Sequence, residues 1–211
     1  GHTPTQVIQR LGRVFERIEE AGLKLKPKKC TFFERETLYL GHVVSADGIR
    51  GDPAKIAKVK TWPRPRNGKE SLRFAGFCNY YNKFIANFAE IARPLYAVGA
   101  KRATFKREQE EETAFQRLKE ALTTPPVMSY PRAEGRWILD TDASATAIGA
   151  VLSQMQTDEN GQEQERVISY GSKTLQGRQQ RYCTRRRELL AVVHFVKHFR
   201  PYLYERYVTI R

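Results

Sequence analysis

Residues 138–154 read ILDTDASATAIGAVLSQ: an apolar strand, a turn of small residues and a second strand. Trp137-Ile138-Leu139 delivers Asp140-Thr141-Asp142 at the strand's far end, and Ala147 to Gln154 forms the next strand. Ala143-Ser144-Ala145 leave room beside Asp142 for a metal ion and a phosphate. Asp140 and Asp142 are two apart, so they share one sheet face if the strand stays regular. Carboxylates in that position suit a hard divalent cation. The plainer use of aspartate at a strand end is to form a turn.

Toward the C-terminus, Asp158-Glu159-Asn160-Gly161 is a turn signal, and Arg166 to Ser172 reads as a third strand. A helix follows over about Thr184 to His198, with Leu189, Val192, Val193, Val196 and Phe199 expected on its buried side. Tyr207 to Arg211 begins another strand. Glu188 is placed in the helix's first turn, where a carboxylate favours the helix dipole. Arg185, Arg186 and Arg187 precede it, and cations at a helix N-terminus are electrostatically awkward. That cost has a use if the arginines bind phosphates or keep Glu188 ionised; a solvated basic surface is the alternative. His194 and His198 have the i, i+4 spacing of zinc ligands, yet no Cys-x2-Cys or His-Glu-x-x-His pattern accompanies them.

Toward the N-terminus, a helix is expected from about Glu108 to Leu122, with an acidic first turn and Phe115, Leu118 and Leu122 inward. Pro125-Pro126 ends it, and residues 99–107, GAKRATFKR, read as a basic loop. Leu72, Phe74, Phe77, Tyr80, Tyr81, Phe84, Ile85 and Phe88 follow helical spacing after the Asn67–Glu70 capping box. This aromatic stripe reads chiefly as core, with base stacking open to an exposed member such as Tyr80 or Tyr81. Asp52-Pro53 and Thr3-Pro4 are helix starts, the latter opening an apolar face of Val7, Leu11, Val14, Phe15 and Ile18 that Gly22 closes. Leu23 to Lys26 alternates as a strand, and TLYLGHVVS (37–45) is a β-rich run before the Asp47-Gly48 turn.

The 211 residues carry 37 Lys and Arg against 23 Asp and Glu, a net charge of +14. That excess favours polyanions, nucleic acid above all, and it is spread along the chain without a juxtamembrane cluster. Cys30, Cys78 and Cys183 are sparse and odd in number, which argues against a disulfide framework and for an intracellular, reducing setting. No apolar run approaches a membrane span.

Taken in order, GLKLKPKKC (22–30), YLGHVVSADGI (39–49), WPRP (62–65) and FCNYYNKFI (77–85) resemble the palm end and thumb of Ty3/gypsy-type retrotransposon reverse transcriptases. AFQRLKEALTTPPV (114–127), ILDTDASATAIGAVLSQ (138–154), YGSKTL (170–175) and RRELLAVVHFVKHFRPYLY (186–204) resemble the connection and RNase H part of the same Pol polyproteins. The resemblance implies an α/β (α+β) chain. Its parts are a palm end over 1–50, a helical thumb over 51–98, a connection over 99–131 and a partial RNase-H-like mixed sheet over 132–211.

It further implies that Leu40, Gly41 and His42 lie in a hairpin that grips the primer terminus, and that Asp142 and Glu188 are catalytic metal ligands. The cofactor would be Mg²⁺ in a two-metal site, and the partners primer–template duplex, RNA–DNA hybrid and the rest of the polyprotein, in a cytoplasmic particle or the nucleus. The YxDD aspartates are expected upstream of Gly1 and a third RNase H aspartate after Arg211, while Arg107 stands where a tryptophan is frequent. The 211 residues alone are therefore expected to be inactive or weakly active. A non-catalytic nucleic-acid-binding or scaffolding piece is the alternative, and a basic membrane-surface protein a more distant one.

Overall fold

The computed structural model describes residues 3–100, 109–124, 126–158 and 160–211. It forms two compact units, Gly1–Arg35 and Glu36–Arg211.

In the first unit, α1 (Pro4–Glu20) starts as its sequence directs: the Thr3 hydroxyl accepts the Gln6 N–H at 3.3 Å, with Pro4 in the first turn. It closes with Gly22 at φ +69° and the Leu23 N–H donated back to the Ile18 carbonyl. None of its residues is buried. The strand expected over Leu23 to Lys26 is not formed; the backbone there has no ladder partner among the described residues, and a 3-10 turn follows at Pro27–Lys29. Alternation alone does not make a strand without a neighbour to pair with.

The second unit opens with an antiparallel meander of β1 (Glu36–Tyr39), β2 (His42–Ser45) and β3 (Gly48–Gly51). The run expected over 37–45 is thus split by a two-residue turn, Leu40-Gly41, with φ of +46° and +73°. Glycine takes that conformation freely, whereas leucine does so at a cost of roughly 1–2 kcal/mol.

Helices α2 (Pro53–Lys60) and α3 (Gly68–Tyr80) begin at the capping residues identified in the sequence. Asp52 accepts from the Ala54 N–H and Asn67 from the Glu70 N–H, each at 2.9 Å. The aromatic stripe is not one helix. Helix α3 stops at Tyr80, a 3-10 turn spans Asn82–Phe84, and Asn87 (φ +54°) turns the chain into α4 (Phe88–Ala100). Phe74, Tyr81, Phe84 and Phe88 enter the core, while Leu72 and Tyr80 face solvent. Gly99 and Ala100 finish α4, and the rest of the expected basic loop lies outside the described residues. Helix α5 (Gln109–Thr123) buries Phe115, Leu118 and Leu122 in the same core, as its spacing directs.

The second sheet has the order β6-β5-β4-β7, with β4 (Trp137–Ala143), β5 (Ala147–Thr157) and β6 (Glu163–Thr174) antiparallel. Both strands of the β5–β6 hairpin run longer than their apolar segments, because each pairs with the other along its length. Helix α6 (Thr184–His198) and α7 (Arg200–Leu203) return the chain to β7 (Val208–Ile210), which lies parallel to β4. Trp137 and Leu139 of β4 share a core with Ala191, Phe195 and Phe199. The expected inward face of α6 is corrected here: Leu189, Val193 and Val196 are exposed. Apolar residues occur on both sides of this helix, and the bulkier Phe195–Phe199 pair takes the core.

Candidate nucleic-acid interface and carboxylate site

The Leu40-Gly41 turn projects outward, with Leu40 73% and Tyr39 65% exposed. His42 sits beneath it among Tyr80, Tyr81 and Phe84, at ring-centroid distances of 5.5, 5.7 and 5.5 Å. Its Nδ1 is buried without a hydrogen-bond partner among the described residues. A cleft of about 350 Å³ beside it is lined by Tyr39, Leu40, His42, Tyr80 and Lys83, among others. Burial, and then the nearby Lys83, hold the His42 pKa below its usual 6.5. Neutral His42 therefore contributes stability that is present above about pH 6.5 and lost as pH falls toward the lowered folded value. The urea midpoint of the chain should fall between about pH 7.5 and about pH 5.5, and fall less in His42→Gln. An equal fall in both proteins removes His42 as the cause.

At the other candidate site, β4 stays paired with β5 through Asp140, Thr141 and Asp142. The two aspartates consequently share the face opposite α6. Their surroundings separate them. Asp140 accepts two bonds from the Arg211 guanidinium at 2.7 and 3.0 Å, and Arg211 also reaches Glu165 at 2.9 Å. Asp142 is exposed and has no hydrogen bond or ion pair among the described residues. Opposite it is Gly149, and a cavity of about 160 Å³ lies between Asp140, Asp142 and the 86–87 segment. Asn87 and Glu90 line a further small recess at Asp142. Neither stood out in the sequence, because both belong to a segment remote from the DTDAS motif.

Helix α6 begins at Thr184, so Glu188 is its fifth residue and the first turn holds Thr184 and the three arginines, which corrects the first-turn placement. Tyr202 of α7 packs on Trp137 at 6.2 Å, fixing the C-terminal end of this helical segment at the start of β4. Glu188 thus belongs to the helix packed on one face of the sheet, while Asp142 lies on the other face at the end of β4. Glu188 is half-buried and unpaired among the described residues. Arg186 stacks on Tyr182 at 4.0 Å, Arg187 donates to Thr184 at 3.4 Å, and Arg185 is exposed without a partner among the described residues.

Asp142 and Glu188 are hard oxygen donors not neutralised by any neighbouring cation they bond, which fits a divalent metal. No group of three or more His, Cys, Asp or Glu able to hold a metal occurs among the described residues. His194 and His198 stack at 6.1 Å; burial, then Lys173, lowers the His194 pKa, and that lysine also opposes a bound cation.

A family model described as the RNase H-like domain found in reverse transcriptase matches residues 108–210. The chain carries an RNase H-like domain of the reverse-transcriptase family. It is 38% identical over 207 residues to the retrovirus-related Pol polyprotein from transposon 297 of Drosophila melanogaster, covering 98% of this chain and 19% of that polyprotein. Identity to the Tf2-3 transposon polyprotein of Schizosaccharomyces pombe is 30% over 196 residues, covering 93% of this chain and 14% of the relative. The chain thus spans about a fifth or less of these polyproteins.

A foamy viral protease–reverse transcriptase in complex with RNA/DNA hybrid shares the fold, with a TM-score of 0.81 at 20% identity over 99% of this chain and 28% of the viral one. The same viral protein in complex with dsDNA matches with a TM-score of 0.76 at 22% identity over 99% of this chain and 43% of the viral one. The RNase H-like segment here comprises α5 and everything after it. No helix among the described residues is long and apolar enough to cross a membrane.

Proposed function

We propose that the chain is the part of a retroelement reverse transcriptase that runs from the palm end through the thumb into RNase H, and that it handles primer–template duplex and RNA–DNA hybrid. The observation that carries this is Asp142, an exposed carboxylate without a partner among the described residues at the end of β4, in a chain whose α6 opens with three arginines before the likewise unpaired Glu188. The relatives' Pol polyproteins, and a structural neighbour bound to hybrid, support the substrate class.

In this reading the Leu40-Gly41 turn and His42 position the primer end, while Arg185, Arg186 and Arg187 contact phosphates without reading sequence. Asp142 and Glu188 would hold Mg²⁺, which would supply an activated water and charge stabilisation for the leaving oxygen in cleavage of the RNA strand. Asp140 holds Arg211 and keeps the β4–β7 edge in place. A scaffolding role is the second reading. It draws on one observation: residues 86–90 lie along the same sheet face as Asp142.

No group of three or more His, Cys, Asp or Glu is placed to hold a metal among the described residues, so the isolated chain should bind hybrid yet cleave it weakly or not at all. Its affinity should fall with salt by roughly one logarithmic unit of slope per phosphate contact, and less steeply after Arg185, Arg186 and Arg187 are changed to Ala. Gel-shift titrations across salt concentrations, with labelled hybrid incubated in Mg²⁺, measure both. Absence of binding at low salt overturns the interface. Robust cleavage by the isolated chain overturns the expectation of weak activity.

A further inference from the structure

The Leu40-Gly41 turn requires a left-handed conformation at both positions, and its first residue is poorly suited to one. Asparagine or glycine is the usual occupant there. Something outside the hairpin must therefore hold the turn. Two consecutive tyrosines at the end of α3 reach its two consecutive carbonyls. The Tyr80 hydroxyl donates to the Leu40 carbonyl, and the Tyr81 hydroxyl donates to the Gly41 carbonyl at 3.2 Å. The Asp52 N–H meets that same Gly41 oxygen at 3.2 Å. Lys55 lies over the Tyr80 ring at 5.3 Å and stands 2.7 Å from where a Cβ on Gly41 would be, so the turn is also closed from the side.

The two tyrosines differ in a way that bears on purpose. Tyr81 is buried against His42, and any buried hydroxyl needs an acceptor. Burial, with Asp52 and Tyr80 nearby, pushes its pKa up to about 12, so it stays a donor. Tyr80 is 51% exposed and could bond water instead. Its bond to Leu40 is not demanded by burial.

We propose that Tyr80 and Tyr81 are positioning residues, a two-hydroxyl clamp through which α3 sets the pose of the Leu40-Gly41 turn where it meets a nucleic-acid end. The proposal rests on the grip reading above and adds to it the coupling between thumb-like helix and hairpin.

The test uses the whole chain with Tyr80→Phe, Tyr81→Phe and the double change, each of which keeps the ring. Amide hydrogen exchange at His42 and Asp52 should quicken roughly three- to tenfold per hydroxyl removed, with amides inside α3 unchanged. Leu40→Asn, better suited to the left-handed position, should restore slow exchange in the Tyr80→Phe background. A merely structural tyrosine would not be rescued that way. Exchange that is unaltered in the double variant overturns the clamp. Photo-crosslinking of a duplex end to the hairpin should weaken in step with the exchange. A wild-type chain whose hairpin never crosslinks to the duplex end overturns the grip reading itself, whatever the exchange rates are.

Discussion

Asp142→Asn, in a Pol protein that contains this chain with its neighbouring segments, is expected to lower Mg²⁺-dependent hybrid cleavage by about 10³-fold while duplex affinity stays within about twofold. That loss is roughly 4 kcal/mol of transition-state stabilisation. The neighbouring Asp140→Asn serves as the internal control. Its carboxylate is already committed to Arg211, and the pair is solvent-accessible, with side-chain exposures of 36% and 51%. An accessible pair of this kind contributes at most about 1 kcal/mol to stability. Cleavage by Asp140→Asn should therefore remain within about threefold of the parent. If both variants cleave like the parent, the scaffolding reading replaces the catalytic one. If both are equally crippled, the difference drawn between the two aspartates is wrong.

That contrast marks what was legible in the sequence. DTDAS identified a strand end with carboxylates on one face, because alternation in a strand is a local property. The assignment of Asp140 to an ion pair was not legible, since its partner Arg211 is 71 positions away. Helix starts were readable at Thr3, Asp52 and Asn67 for the same local reason: a cap acts on amides two or three residues on. The turn at Leu40-Gly41 escaped, since leucine opposes the conformation and the groups holding it lie in α3, 40 residues later. The inward face of α6 was misread because the helix has apolar residues on both sides. Only packing on β4 decides between them.

Gly48→Ala is expected to destabilise the Glu36–Arg211 unit by about 2–4 kcal/mol, read as a lower urea midpoint. Two costs coincide at this position. Its φ of +138° lies where residues with a Cβ are strained. A Cβ there would also stand 2.2 Å from the Met128 carbonyl oxygen. That oxygen accepts the Ile49 N–H at 2.8 Å, and the Met128 N–H donates back to Ile49 at 3.0 Å. To admit a methyl group, the two backbones must separate and both bonds weaken. The disturbance would then pass beyond the meander, because the next residue, Ser129, donates to Val167 of β6 at 2.9 Å. Residues 128–129 are thus the strap between the two sheets. Gly76→Ala is the matched comparison: it is exposed within α3, and an added Cβ meets nothing within 4 Å. It should stabilise by about 0.5–1 kcal/mol through reduced backbone entropy of the unfolded chain. The Asp47-Gly48 turn signal anticipates a glycine for local reasons, and a local role alone predicts a loss confined to the hairpin. A Gly48→Ala protein whose β6 amides exchange no faster than the parent's would show that the strap carries no stability between the sheets.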